Sequence, residues 1–128
     1  MIIDRLDHLV LTVKDIENTV KFYQRVLGME KVVFGDNRLA LKFGQQKINL
    51  HQLGNEFEPK AKHVRSGSAD LCFITTTPIT QAISHIKSCG VTVIEGPVNR
   101  TGALGKIVSA YIRDPDENLI EISNYDNS

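Results

Sequence analysis

Cysteine is scarce in this chain of 128 residues, and only Cys72 and Cys89 are present. Two are too few for a disulfide framework and lack the paired spacing of a zinc ribbon, so both read as small apolar residues in a reducing compartment. Net charge is absent too, since fifteen basic residues cancel fifteen acidic ones. With no basic stripe, nothing attracts nucleic acid or an anionic membrane, and the expected partner is a small molecule. Long hydrophobic runs are also missing. No segment approaches the ~18 consecutive apolar residues of a membrane span, and the opening MIIDRLD carries charges at once, unlike a secretory leader. The expectation is a cytoplasmic protein with a single domain over 1–128, long enough to bury a core.

What is present is an order that repeats. Residues 6–13 alternate as a half-buried strand, and in DIENTVKFYQRVLG the residues Ile16, Val20, Tyr23 and Leu27 fall on one helical stripe. Asp15 suits the N-cap and Gly28 the stop. Strands follow at 30–34, 38–43 and 47–53, separated by GDN and GQQ turns. Residues 54–67 lose periodicity, carry Pro59 and many charges, and read as a linker. The order then begins again. A strand at 68–75 precedes a helix capped by Thr77, with Pro78 in its first turn, Ile79, Ile83 and Ile86 on one stripe and Gly90 as its stop. Strands at 91–95, 107–113 and 118–125 complete it, the last two joined by DPDE. Two βαβββ modules, 1–53 and 68–128, emerge as a structural duplication.

Alternation decides which residues face away from the helices. In the first strand Leu9, Leu11 and Val13 share the apolar side, so His8 lies on the other. By the same rule Asn49 and His51, Asp70 and Cys72, and Glu121 and Ser123 turn away from their helices. His8, His51, Asp70 and Glu121 then read as matched positions of the two halves. Two imidazoles and two carboxylates suit a borderline divalent ion such as Ni, Zn, Fe, Mn or Co. Carboxylates brought close together repel unless a cation sits between them, which favours this reading. The plainer alternative is a polar cleft in which acids and histidines pair with each other or with Arg113.

The segments LDHLVLTVKDIENTVKFYQRVLGME and YIRDPDENLIEI resemble the opening and closing motifs of the vicinal oxygen chelate superfamily, the fold of glyoxalases, bleomycin resistance proteins and extradiol dioxygenases. The similarity covers essentially the whole chain and is closest to small glyoxalase-domain members of the type named glyoxalase domain-containing protein 5. It implies an α+β fold in which two βαβββ modules form a curved, mostly antiparallel sheet around a concave metal-binding cavity. It also implies ligands on the first, fourth, fifth and eighth strands, which fall on His8, His51, Asp70 and Glu121. Short members of the family build the cavity from two subunits, so a homodimer is implied. Bacterial glyoxalase I carries His, Glu, His, Glu at these strands, whereas the middle two here are His51 and Asp70. Asp70, one methylene shorter than Glu, also suits a hydrogen bond to His51 or to a metal-bound water, which would leave a two-histidine, one-carboxylate triad.

The expected activity is that of a glyoxalase I-like lyase or isomerase, with a divalent ion stabilising an enediolate of a small, oxygenated, anionic substrate and Glu121 as ligand and proton shuttle. The alternatives are an Fe(II) ring-cleaving dioxygenase and a non-catalytic binder of the bleomycin-resistance type. Arg38, Lys42 and Asn49, with Ser109, Tyr111 and Arg113, face the expected cavity, and Arg38, Asn49, Tyr111 and Arg113 are the candidate substrate-binding residues. NRTGALGK, residues 99–106, reads as a flap; Arg100 and Ile107 stand where a phosphate loop needs Gly and Ser or Thr. His63 and His85 read as solvent-facing, and Cys72 faces the cavity without an adjacent base.

Overall fold

The structure, a computed structural model, describes residues 1–125. Its elements run β1 (His8–Val13), α1 (Ile16–Leu27), β2 (Glu30–Phe34), β3 (Arg38–Phe43), β4 (Gln46–Gln52), β5 (Asp70–Ile74), α2 (Ile79–Ser88), β6 (Glu95–Gly102), β7 (Gly105–Arg113) and β8 (Leu119–Tyr125). The chain forms two compact units, Met1–Gly67 and Ser68–Ser128. Each is a βαβββ module with an open four-stranded sheet, in the order β1-β4-β3-β2 in the first and β5-β8-β7-β6 in the second. One pair in each sheet is parallel, β1 with β4 and β5 with β8, and the others are antiparallel.

In the first unit the side chain of Asp15 accepts from the Asn18 amide at 3.1 Å, and Gly28 ends α1 at φ 65°. That left-handed conformation costs glycine no Cβ clash. Val20, Tyr23 and Val26 are buried on one stripe, and α1 lies against β2 and β4. Ile48 and Leu50 are fully buried, each contributing about 1.5–3 kcal/mol by leaving water.

The second unit departs from expectation in three places. Pro78, not Thr77, is the N-cap residue of α2, with no side-chain cap; the Thr77 amide donates instead to Thr75 Oγ1 at 3.1 Å. Residues 91–94 form no strand. Pairing starts at Glu95 opposite Tyr111 and breaks between Glu95 and Val98, where Gly96 and Pro97 intervene and proline offers no amide to the ladder. The expected flap at 99–106 is a hairpin, since Asn99 pairs with Val108 and Gly102 with Gly105. The DPDE turn does form, with Asp114 Oδ1 accepting from the amides of Asp116 and Asn118 at 2.9 and 3.0 Å. Asn118 Oδ1 in turn accepts from the Ala69 amide at 2.9 Å, tying β5 to β8. Among the described residues no helix is long and apolar enough to cross a membrane.

Candidate functional site

In the first unit the face of the sheet turned from α1 begins with His8, which is exposed at the start of β1. Its Nδ1 donates to Asp7 Oδ2 at 2.8 Å, and this bond holds the Asp7 carboxyl below its usual range. A ring whose Nδ1 carries the proton keeps a lone pair on Nε2, the form a metal-binding histidine takes. Asp7 fell inside the expected strand 6–13, on the side of Leu9 and Leu11 and away from His8; β1 begins only at His8, so alternation does not govern Asp7.

His51 is set differently. It is 2% exposed, its ring meets Phe57 edge-on at 5.5 Å, and its Nε2 accepts from Arg38 Nη2 at 3.3 Å. Burial, then the nearby guanidinium, depresses its pKa below the ordinary imidazole value. His51 is therefore a neutral acceptor already engaged by a cation. Its Nδ1 and the Oδ1 of Asn49 are buried without a partner among the described residues. Phe57 lies in the expected linker; one aromatic inside the polar run NEFEPK was the only signal that this segment packs on the sheet.

In the second unit Glu121 is half-buried on β8, opposite Cys72 of β5 and Tyr111 of β7. Its Oε2 accepts from Ser109 Oγ at 2.6 Å, and the buried hydroxyls of Ser109 and Ser123 lie 2.7 Å apart. Each hydroxyl has one proton. With that of Ser109 given to the carboxylate, Ser123 donates to Ser109 and is left to accept from the Cys72 thiol, 3.4 Å away. Burial raises the Cys72 pKa, with Glu121 and Asp70 adding to the rise, so the thiol keeps its proton. Asp70 is exposed at the start of β5. The Tyr111 hydroxyl accepts from Arg100 Nε at 3.0 Å, and Arg113 Nη1 reaches the Glu117 carbonyl at 3.4 Å, so Arg113 braces the turn. Among the described residues no three His, Cys, Asp or Glu side chains form a metal-holding group in the chain.

Strand register revises how the halves match. His8 pairs with Lys47 and Asp70 with Leu119; two residues beyond those partners stand Asn49 and Glu121. Glu121 therefore matches Asn49, and His51, opposite Thr12, matches Ser123.

These paired modules define a known class. The sequence model of the Glyoxalase/Bleomycin resistance protein/Dioxygenase superfamily matches residues 5–122, and the chain belongs to this superfamily. It is 64% identical over 125 residues to Virulence protein STM3117 of Salmonella typhimurium, covering 98% of this chain and 87% of that protein. It is 58% identical over 120 residues to the glyoxalase domain-containing protein RDO1 of Mycosarcoma maydis, covering 94% and 68% of the two chains. An integron cassette protein from the mobile metagenome of V. Cholerae superposes with a TM-score of 0.97 at 65% identity over 98% of both chains. The lactoylglutathione lyase of Agrobacterium tumefaciens shares the fold, with a TM-score of 0.72 at 21% identity over 94% and 92%.

Proposed function

We propose that the chain is a metal-dependent enzyme of glyoxalase I type, a lyase or isomerase acting on a small oxygenated anion. The observation that carries this reading is the Asp7–His8 pair, which fixes the tautomer of an exposed imidazole and leaves Nε2 available as a ligand. His8 of one copy, with Asp70 and Glu121 of a second copy of the chain, would hold one divalent ion, a donor set of one nitrogen and two carboxylates that suits Ni, Zn, Fe, Mn or Co. The ion, when bound, supplies Lewis-acid stabilisation of negative charge developing on substrate oxygens. Ser109 fixes one oxygen of Glu121, so the other is available to hold or move a proton. His51, in the initial ligand set, acts here by orienting Arg38.

The same reading places the protein in the cytoplasm, a setting that suits Cys72 and Cys89 as reduced thiols outside any disulfide. It also takes the working form to be a homodimer, in which a second copy covers the faces carrying His8 and Asp70. Exposed apolar residues on the same faces support this: Val10 is two residues beyond His8 on β1, and Ile74 ends β5 four residues beyond Asp70. A ring-cleaving dioxygenase would need His51 as a second imidazole ligand, and the Arg38 contact weighs against that alternative.

Elemental analysis of untagged wild-type and His8→Ala protein tests the reading, alongside turnover of thiol adducts of 2-oxoaldehydes and oxygen uptake. Ni, Zn or Co lost in the variant, with adduct turnover, is the expected result. Bound Fe with oxygen uptake would transfer the assignment to the dioxygenases. No metal even after reconstitution would leave a metal-free binding protein.

A further inference from the structure

The first unit carries positive charge that its own acids leave unpaired. The Arg38 guanidinium lies 5.1 Å from the Phe34 ring centroid and 4.5 Å from that of Phe57, and Lys47 Nζ lies 3.7 Å from the Phe34 centroid. Among the described residues neither Arg38 nor Lys47 makes an ion pair; Glu56 and Glu58 pair with Lys60, at 3.4 and 3.2 Å. The ring contacts and the Nη2 bond to His51 hold the guanidinium, while its other N–H donors have no partner among the described residues. A planar fork held in this way is matched in geometry by a carboxylate, which accepts two parallel N–H bonds. Asn49 shares the face of β4 with Lys47 and His51, is 5% exposed, and its Oδ1 has no donor among the described residues. A buried acceptor left unmade costs stability unless a donor reaches it.

We propose that this face is a subsite for a small hydroxycarboxylate: Arg38 receives the carboxylate, Lys47 adds a second positive charge, and Asn49 Oδ1 accepts from the ligand hydroxyl. His51 is the neutral acceptor that orients the guanidinium. The subsite deepens the reading above by naming the anion, and its binding step uses only side chains of the first unit.

Calorimetric titration of metal-stripped protein with malate, and with succinate as the partner lacking a hydroxyl, tests the subsite. Malate should bind saturably and more tightly than succinate. Arg38→Gln should weaken it about tenfold or more, the worth of a hydrogen bond to a charged group. Lys47→Gln, at a half-buried residue whose ammonium also lies over the Phe34 ring, should weaken it less, and Asn49→Ala should remove the preference for malate. Circular dichroism establishes that each variant is folded. Folded wild type that fails to bind malate, or Arg38→Gln that binds it as wild type does, overturns the subsite. Metal retention is measured separately: Arg38-dependent malate binding by a protein that holds no ion keeps the subsite and removes the metal reading, and the converse result removes the subsite alone.

Discussion

Asp7 and Ser109 each take up one atom of a neighbouring side chain and leave another for chemistry: Asp7 holds His8 Nδ1 and Ser109 holds Glu121 Oε2. Groups that orient metal ligands in this way typically contribute ten- to a hundredfold in affinity. Asp7→Ala and Ser109→Ala should each weaken metal binding by about that factor. Competition against a chromophoric chelator measures it, and an unchanged affinity in both variants would remove the roles assigned to them. His51 gives a second residue-level prediction. Its folded pKa lies below the ordinary value of 6.5, so as pH falls through that value the unfolded chain takes up a proton that the native state refuses. Its contribution to stability is complete above about pH 6.5 and is lost below it, down to the depressed folded pKa. Thermal midpoints from pH 7.5 to 5 should fall more steeply in wild type than in His51→Gln, and parallel curves would refute this. The faces of His8, Asp70 and Glu121 were legible because strand alternation has period two. The role of Asp7 was not, since the expected strand 6–13 placed it on the side of Leu9 and Leu11, whereas β1 begins at His8 and Asp7 turns to that ring.

At the scale of elements, composition marks what local chemistry decides and misses what pairing decides. Helix α1 was legible at both ends, since Asp15 and Gly28 act through their own side chain and backbone freedom. VTVIE has strand-like residues, yet of these only Glu95 enters the ladder, and the strand forms over EGPVNRTG, whose composition is poor in strand formers. Hydrogen bonding to β7 overrides propensity there. Gly96 makes the irregular start workable: at φ 133°, an added Cβ would lie 2.7 Å from both Ala110 Cα and the Ser109 carbonyl oxygen. Backbone atoms on a central strand cannot give way as a flexible side chain would. Gly96→Ala should therefore lower stability by roughly 2–4 kcal/mol, read from a urea melt. A loss under about 0.5 kcal/mol, the ordinary effect of a surface change, would show that β6 slides away from the clash.

At the scale of the whole molecule, the duplication was legible because each module repeats the same order of elements, but its register was not. A strand slipped by two residues satisfies the same alternation, so sequence pattern alone could not choose between Asn49 and His51 as the match to Glu121. The parallel pairs β1–β4 and β5–β8 make that choice in favour of Asn49. Exposed apolar residues share the strand faces of His8 and Asp70, Val10 on β1 and Ile74 at the far end of β5, and the homodimer proposed here would draw one ligand set from two copies. Symmetry makes that arrangement testable by mixing variants. His8→Ala homodimers lack the histidine at both sites, and Glu121→Ala homodimers lack the carboxylate at both. In a mixed dimer whose sites take His8 from one chain and Glu121 from the other, one site carries both substitutions and the other carries neither. Unfolding and refolding the variants together in equal amounts gives about half mixed dimers, and hence about a quarter of wild-type metal content where each variant alone has little. If each site instead takes both residues from a single chain, every site in every dimer carries one substitution, and mixing restores nothing.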